Sequence, residues 1–226
     1  MDSRENTQQS DAVLEPGVIS SYGNARKQLL KYFLEIFLIF IIFGVIGIPL
    51  WVTSWTGYSI EAYTFWHFFG IGYSILVMGP LSYGVAFACL KAARDKAPEV
   101  NNIFEAFKTY WNAVLAGLLV SVIVAIGFIL LVVPSIIFAC KLAFVPFLVM
   151  DRKMEAVAAV KESWKMTHGY APDVFYIGLL GILILIAGAI CFGVGIIISF
   201  MWISLAIASL YHAVSLKQQA SPQDTA

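Results

Sequence analysis

The sequence predicts an all-α, polytopic membrane protein with six transmembrane helices and two interfacial amphipathic helices. Three observations lead to this prediction: the composition, the length of the apolar segments and the placement of the basic residues. Of 226 residues, 60% are hydrophobic and 12% are charged, with a mean hydropathy of +0.84. A soluble domain is about half apolar and about a quarter charged, so this composition excludes a water-soluble fold. The formal net charge is zero, which gives no basic surface for nucleic acid.

Six apolar segments are long enough to cross a bilayer, because a core of about 30 Å needs about 20 helical residues. The fourth segment is the shortest, at about 17 residues, and a re-entrant segment is the alternative there. The spans define a membrane domain at 28–217, between a cytosolic polar tail at 1–27 with a disordered start and a cytosolic C-terminal tail at 218–226. The predicted spans are 32–53, 63–90, 111–133, 134–150, 172–192 and 195–216.

The basic residues provide an independent test of the number of spans. With six spans, 13 of the 14 Lys and Arg fall on one side of the membrane, in the N-terminal region, the second and fourth connections and the C-terminus. Lys and Arg accumulate on the cytoplasmic side of spans, so both termini are predicted to be cytoplasmic. The expected location is the bacterial cytoplasmic (inner) membrane. Lys141 is the one basic residue that this topology leaves inside a span.

Two stretches on the basic side alternate apolar and charged residues at helical spacing, at 102–110 and at 151–167. They predict helices that lie on the inner leaflet, with Trp111 and Trp164 placed to anchor at the interface. The alternative is that they extend the third and fourth spans into the cytosol.

Small residues and prolines predict how the spans pack. Gly84, Ala88 and Ala92 form one of three four-residue ladders that allow close approach of helices. Pro134 is predicted to open the fourth helix from a tight turn at 133–136, because an N–H at that position would be unpaired. Three further prolines lie within spans and predict kinks, which mark either a transport pathway or plain packing: Pro49, Pro80 and Pro146.

Ionisable groups inside a membrane are candidates for function, and two residues qualify, Lys141 and Glu35. Glu35 is expected at the inner interface, among the basic residues of the N-terminal region. Lys141 is expected to extend to the outer surface or to pair with backbone carbonyls, with a functional role as the alternative.

Other polar groups are sparse, and each is expected to satisfy itself within a helix or across a helix pair. No catalytic motif is recognisable, and the three cysteines lack a second Cys or a His at ligand spacing. The sequence therefore predicts no enzyme activity, no cofactor and no metal site. The polar candidates within the spans are Tyr73, Ser74, Ser82, Tyr83, Ser121, Ser199, Ser204 and Ser209.

The region 79–169 resembles a group of uncharacterised prokaryotic six-helix membrane proteins, related to the membrane domain attached to some glycerophosphodiester phosphodiesterases. Where that family usually has Pro-Gly in the turn, this chain has Pro134 and Ser135. The resemblance implies the six-helix architecture but no established activity, and the soluble phosphodiesterase domain is absent from the sequence. The segments that carry it are GPLSYG (79–84), IFEAFKTY (103–110), VPSIIFACKLAFVPFLVMD (133–151) and AVKESWKMTHG (159–169).

Two functional hypotheses follow. The first is a non-enzymatic integral membrane protein that scaffolds or modulates other membrane components. The alternative is a small transporter or permease for an apolar or amphiphilic solute, motivated by the prolines and Lys141. The expected partners are membrane lipids and either other membrane proteins or further copies of the chain, without nucleic acid.

Overall fold

The computed structural model describes residues 15–55, 60–190 and 194–220. Every regular element within these residues is a helix, which confirms the all-α prediction. The elements are α1 (Val18–Lys31), α2 (Phe33–Trp55), α3 (Ile60–Tyr73), a π-helix (Ser74–Met78), α4 (Gly79–Ala93), a 3₁₀ helix (Val100–Thr109), α5 (Tyr110–Leu130), α6 (Val132–Leu142), α7 (Val145–Asp151), α8 (Ala156–Met166), α9 (Ala171–Ile190) and α10 (Val194–Ala220).

Six of the helical stretches are long and apolar enough to cross a membrane, as the sequence predicted. Large apolar side chains cover their outer surfaces, among them Phe128, Leu183 and Ile186, each more than half exposed. Such a surface suits contact with lipid. The stretches are Phe33–Leu50, Trp66–Ala93, Val100–Leu130, Val132–Asp151, Ala171–Ile190 and Gly195–Gln219.

Helix α1 was not predicted, because its sequence is too polar to stand out as a span. Its narrow inner face, which includes Ala25 and Leu29, is buried against the bundle. The Asn24 side-chain amide donates hydrogen bonds to the Ala93 carbonyl, at 3.1 Å, and to the Ser209 hydroxyl, at 3.0 Å. The region predicted as a cytosolic polar tail, 1–27, is therefore helical and packed on the bundle from Val18 onward, and its part up to residue 14 lies outside the described residues.

The second span is interrupted by the π-helix rather than continuous. Pro80, the second residue of α4, has no N–H to donate to the Leu76 carbonyl four residues earlier. The Tyr110 hydroxyl donates to this carbonyl instead, at 3.0 Å. The irregular turn thus keeps its backbone hydrogen bonds satisfied, as a bilayer requires.

The fourth span is broken at residues 143–144, which separate α6 from α7. Pro146 cannot donate to the Leu142 carbonyl, so the helix does not continue through this point. The neighbouring Lys141 carbonyl accepts hydrogen bonds from the hydroxyls of Ser163 and Thr167, at 2.8 and 3.1 Å. The kink predicted at Pro146 is therefore a full break, supported by α8.

The turn between the third and fourth spans lies earlier than the sequence predicted. Leu131, in an extended conformation, is the single residue between α5 and α6. Pro134 lies in the first turn of α6, where its missing N–H leaves no carbonyl without a donor. The prediction of a turn at 133–136 was wrong by about one helical turn, and the helix begins at Val132, two residues before Pro134.

The amphipathic stretch predicted at 151–167 is interrupted at 152–155 and forms α8 over Ala156–Met166. The stretch predicted at 102–110 is a 3₁₀ helix that buries Ile103 and Ala106 and exposes Phe104 and Phe107. It packs so closely on Gly84 that a Cβ at this glycine would overlap the Ile103 backbone. The small residue thus serves close packing, and its partner is the 3₁₀ helix at the start of the third apolar stretch.

The basic segments of the chain meet at one end of the bundle. The Arg94 guanidinium donates two hydrogen bonds to the Asp151 carboxylate, at 2.5 and 2.6 Å, and the buried Tyr211 hydroxyl donates to the same carboxylate at 3.2 Å. We call Arg94, Asp151 and Tyr211 the clamp. The hydrogen bonds to Asp151 raise the pKa of Arg94. The clamp joins the second connection, the fourth connection and the last helix, in agreement with the predicted alternation of charge.

Candidate functional site

A cleft of about 590 Å³ lies between the second span and the third and fourth spans. One wall consists of the π-helix and the start of α4, and the other consists of α5 and the residues around the break between α6 and α7. Pockets that hold small ligands usually have volumes of about 300 to 1,000 Å³. The cleft is therefore large enough for a ligand.

Small side chains create the space in the cleft, together with the two irregular points of the backbone. Met78 and Gly79 mark the end of the π-helix, and Pro146 follows the break in the fourth span. Both interruptions border the cleft, and π-turns frequently occur at functional sites. The small residues that line it are Gly79, Ala113, Gly117, Ala139 and Ala143.

The cleft runs along about half of a bilayer. On α5 the lining residues extend from Ala113 to Val124, a distance of about 16 Å at the helical rise of 1.5 Å per residue. A bilayer core is about 30 Å thick, so this length matches the acyl region of one leaflet.

The walls are apolar apart from four hydroxyl groups, on Ser74, Ser82, Tyr83 and Ser121. None of the lining residues is charged. Ser82 and Leu118 are exposed, so the cleft opens at the side of the bundle, where lipid would contact it. This wall suits an uncharged, mainly apolar molecule that enters from the bilayer.

Two of the three serine hydroxyls in the cleft behave as the sequence predicted, whereas the exposed Ser74 makes no hydrogen bond with the described residues. Ser82 donates to the Gly79 carbonyl at 2.6 Å, and Ser121 donates to the Gly117 carbonyl at 2.8 Å. Each bond stays within one helix. These two serines therefore need no ligand to satisfy their donors.

Tyr83 contradicts the expectation that each polar group satisfies itself. Its side chain is buried, with 5% exposure, and its hydroxyl has no hydrogen-bond partner anywhere in the described part of the chain. The ring edge lies next to Gly117, where an added Cβ would be in van der Waals contact with the Tyr83 hydroxyl oxygen, at 3.9 Å. A signal was available in the sequence, because a phenol hydroxyl lies too far from its own backbone to reach the carbonyl that serves a serine.

Lys141 does not enter the cleft, although its neighbours Leu142 and Ala143 line it. The Lys141 ammonium lies over the ring of Trp164, 5.1 Å from the ring centroid. Trp164 is on α8, which follows the basic fourth connection, so the expected extension toward the outer surface is wrong. A cation over an indole face is a stabilising contact and gives Lys141 a structural role.

The other predicted site residues lie away from the cleft or at its edge. Glu35 is exposed in the first turn of α2, and Lys31, one of its expected neighbours, instead pairs with Asp95 at 2.6 Å. Pro49 lies inside α2 and does not line the cleft, whereas Pro146 does. No group of three or more potential metal ligands occurs within the residues that the structure describes.

Comparisons with known proteins give no relative. No family model matches this chain, and no curated protein or solved structure is significantly similar to it. The resemblance of 79–169 to the prokaryotic six-helix group thus stays a prediction from the sequence.

Proposed function

We propose that this protein is a non-enzymatic permease that takes an apolar or amphiphilic solute from the bilayer into the cleft. The observation that carries the proposal is the cleft itself, an uncharged space of about 590 Å³ inside a six-span bundle and open at its side. The irregular backbone on both walls supports it. Non-helical backbone at membrane depth is tolerated where it borders a cavity, and such points recur in transport proteins.

The proposed orientation places both termini in the cytoplasm of a bacterial cell. It rests on the accumulation of Lys and Arg at the end of the bundle that holds the clamp.

Scaffolding of other membrane components was the first hypothesis from the sequence, and it rested on sparse intramembrane polarity and on the two interfacial amphipathic helices. The cleft favours the permease, because it provides a space for a solute. The exposed rings of Phe104, Phe107 and Trp111 on the basic side suit contact with the lipid interface. No feature of the described residues points to a partner protein.

Movement of a fluorescent single-chain lipid between the leaflets of reconstituted vesicles tests the proposal. We expect the protein to accelerate this movement over protein-free vesicles. Gly117→Trp fills the cleft beside Tyr83 and should abolish the acceleration, because a large side chain there leaves no room for the probe. Leu115→Trp is the matched control, since Leu115 is 52% exposed on the same helix and does not line the cleft.

Two results would contradict the proposal. One is wild-type protein that moves the probe no faster than protein-free vesicles do. The other is Gly117→Trp protein that is folded and as active as the Leu115→Trp control.

A further inference from the structure

The Tyr83 hydroxyl belongs to the one buried side chain of the cleft that carries a hydroxyl group and makes no hydrogen bond with the described residues, whereas the unpaired Ser74 is exposed. A buried tyrosine usually finds a hydrogen-bond partner for its O–H. Within a bilayer core, water is not available to take this role. The hydroxyl of Tyr83, by contrast, faces a space large enough for a ligand and has no acceptor among the residues described.

The position of Tyr83 along the cleft indicates which part of a ligand it would meet. The lining residues of the second span run from Ser74 to Tyr83, and the same helix continues to Arg94 in the clamp. Among the lining residues of the second span, Tyr83 is the one nearest to the clamp along the helix, and about 13 Å of mainly apolar wall extends from it to Ser74 at the rise of a helix. A lipid in this leaflet has its ester carbonyls at the outer end of its acyl chain.

The chemistry of the wall limits the ligand further. An O–H donor calls for an acceptor oxygen, and a wall without charged residues would leave a carboxylate or an ammonium without a partner. The ligand is thus expected to be uncharged where it enters the cleft. An ester or ketone carbonyl next to a long apolar chain satisfies both conditions.

We propose that the cleft binds the acyl chain of an ester lipid, with the carbonyl oxygen accepting a hydrogen bond from the Tyr83 hydroxyl. The proposal rests on the proposed function, because it assumes that the cleft is a binding site, and it adds the class of solute. Tyr83 then selects an acyl ester over a plain hydrocarbon of the same length. Ser82 and Ser121 do not take part in this selection, because their hydroxyls donate within their own helices. Ser74 lies at the other end of the lining of the second span, nine residues from Tyr83.

Photolabelling of the full-length protein in maltoside micelles, which carry no ester, tests the inference. Two probes are compared, the methyl ester of a palmitic acid with a diazirine in its chain and a hexadecane with the same diazirine. In Tyr83→Phe protein we expect the half-saturating concentration of the ester to rise about fivefold, because the variant loses one hydrogen bond to the ester carbonyl. The hexadecane should label both proteins equally.

Ser121→Ala is the matched control, because this variant also removes a wall hydroxyl but one already bonded to Gly117. It should change neither probe. Equal half-saturation of the ester in wild type and Tyr83→Phe overturns the inference, and the proposed function survives if Gly117→Trp still blocks both probes. Labelling that Gly117→Trp does not reduce, or wild-type protein that neither probe labels, overturns both. Circular dichroism of each variant shows that it is folded.

Discussion

The clamp and the cleft both place polar side chains within or beside an apolar bundle, but only the clamp pairs all of them. In the clamp, the Asp151 carboxylate accepts hydrogen bonds from Arg94 and from Tyr211. In the cleft, the hydroxyls of Ser82 and Ser121 are satisfied, and those of the buried Tyr83 and the exposed Ser74 are not. Paired polar groups hold helices together, whereas an unpaired donor beside an open space can bind a ligand. The polar residues of the clamp therefore stabilise the fold, and Tyr83 in the cleft is the candidate for ligand binding.

The largest effect is expected at the clamp. Asp151→Ala removes the acceptor of Arg94 and Tyr211 and leaves a guanidinium without its partner. We expect the free energy of unfolding to fall by about 2 to 3 kcal/mol, less than the roughly 3 to 5 kcal/mol typical of a fully buried pair. We expect the smaller loss of stability because the two side chains are partly exposed, 27% for Arg94 and 17% for Asp151. Detergent unfolding, followed by circular dichroism, measures it.

The neighbouring residue provides the control for this prediction. Arg152 forms a looser pair with Glu162, at 3.6 Å. Arg152→Ala should cost less than about 1 kcal/mol, as is usual for pairs near the surface. An equal loss of unfolding free energy in the two variants would show that the clamp stabilises the fold no more than a surface ion pair does.

An effect of intermediate size on stability is expected from substitutions at two glycines, Gly84 at a close helix contact and Gly117 at the cleft. Gly84→Ala places a methyl group against the Ile103 backbone, so we expect a destabilisation of about 1 to 3 kcal/mol. At Gly117 the nearest atoms to an added methyl belong to Tyr83, at an ordinary 3.9 Å. Gly117→Ala should thus be neutral or stabilise by up to about 1 kcal/mol through the lower entropy of its unfolded chain. Detergent unfolding of both variants tests the difference, and a similar loss in each would mean that the cleft is not open at Gly117.

The smallest effect is expected at the exposed pair of Lys31 and Asp95, which joins α1 to the end of α4. The hydrogen bond from Lys31 holds the pKa of Asp95 below its usual value. A lowered carboxylate pKa contributes stability that is complete above the usual value of about 4 and is lost as the pH falls through the lowered pKa.

Thermal unfolding across pH tests this pair. Asp95→Asn should lower the melting temperature slightly at pH 7, and the difference from wild type should shrink as the pH falls below about 4. Glu35→Gln is the control, because this exposed carboxylate has no ion pair among the residues the structure describes, and it should behave as wild type. A difference that persists or grows in acid would show that the pair does not stabilise the fold.

Sequence patterns predicted the parts of the fold that depend on local properties. The six spans follow from apolar length, and the basic residues follow the predicted alternation, because both are properties of single segments. Helix α1 escaped prediction because its buried face, with Ala25 and Leu29, is short and its other residues are polar. Contacts with α10 and α4, which no local pattern shows, hold it in place.

The candidate site was predicted less well than the fold. Lys141 was a candidate because it is a charged residue within a span. Its ammonium instead lies over the ring of Trp164, a residue 23 positions later in the chain. Tyr83 was expected to satisfy its own hydroxyl, and it does not, because its surroundings depend on the break at Pro146 and on the π-helix. The local sequence predicts where a helix is interrupted, because proline removes a backbone donor. The space between two such interruptions cannot be predicted in this way, because it depends on how the helices pack in the assembled bundle.

A crystal structure grown from a lipidic mesophase would show directly whether a lipid occupies the cleft and bonds to Tyr83. We expect elongated density along the wall from Ser74 to Tyr83, with an oxygen atom within about 3 Å of the Tyr83 hydroxyl. A cleft closed by contact of α5 with α4, with the Tyr83 hydroxyl bonded to a protein carbonyl, would contradict it.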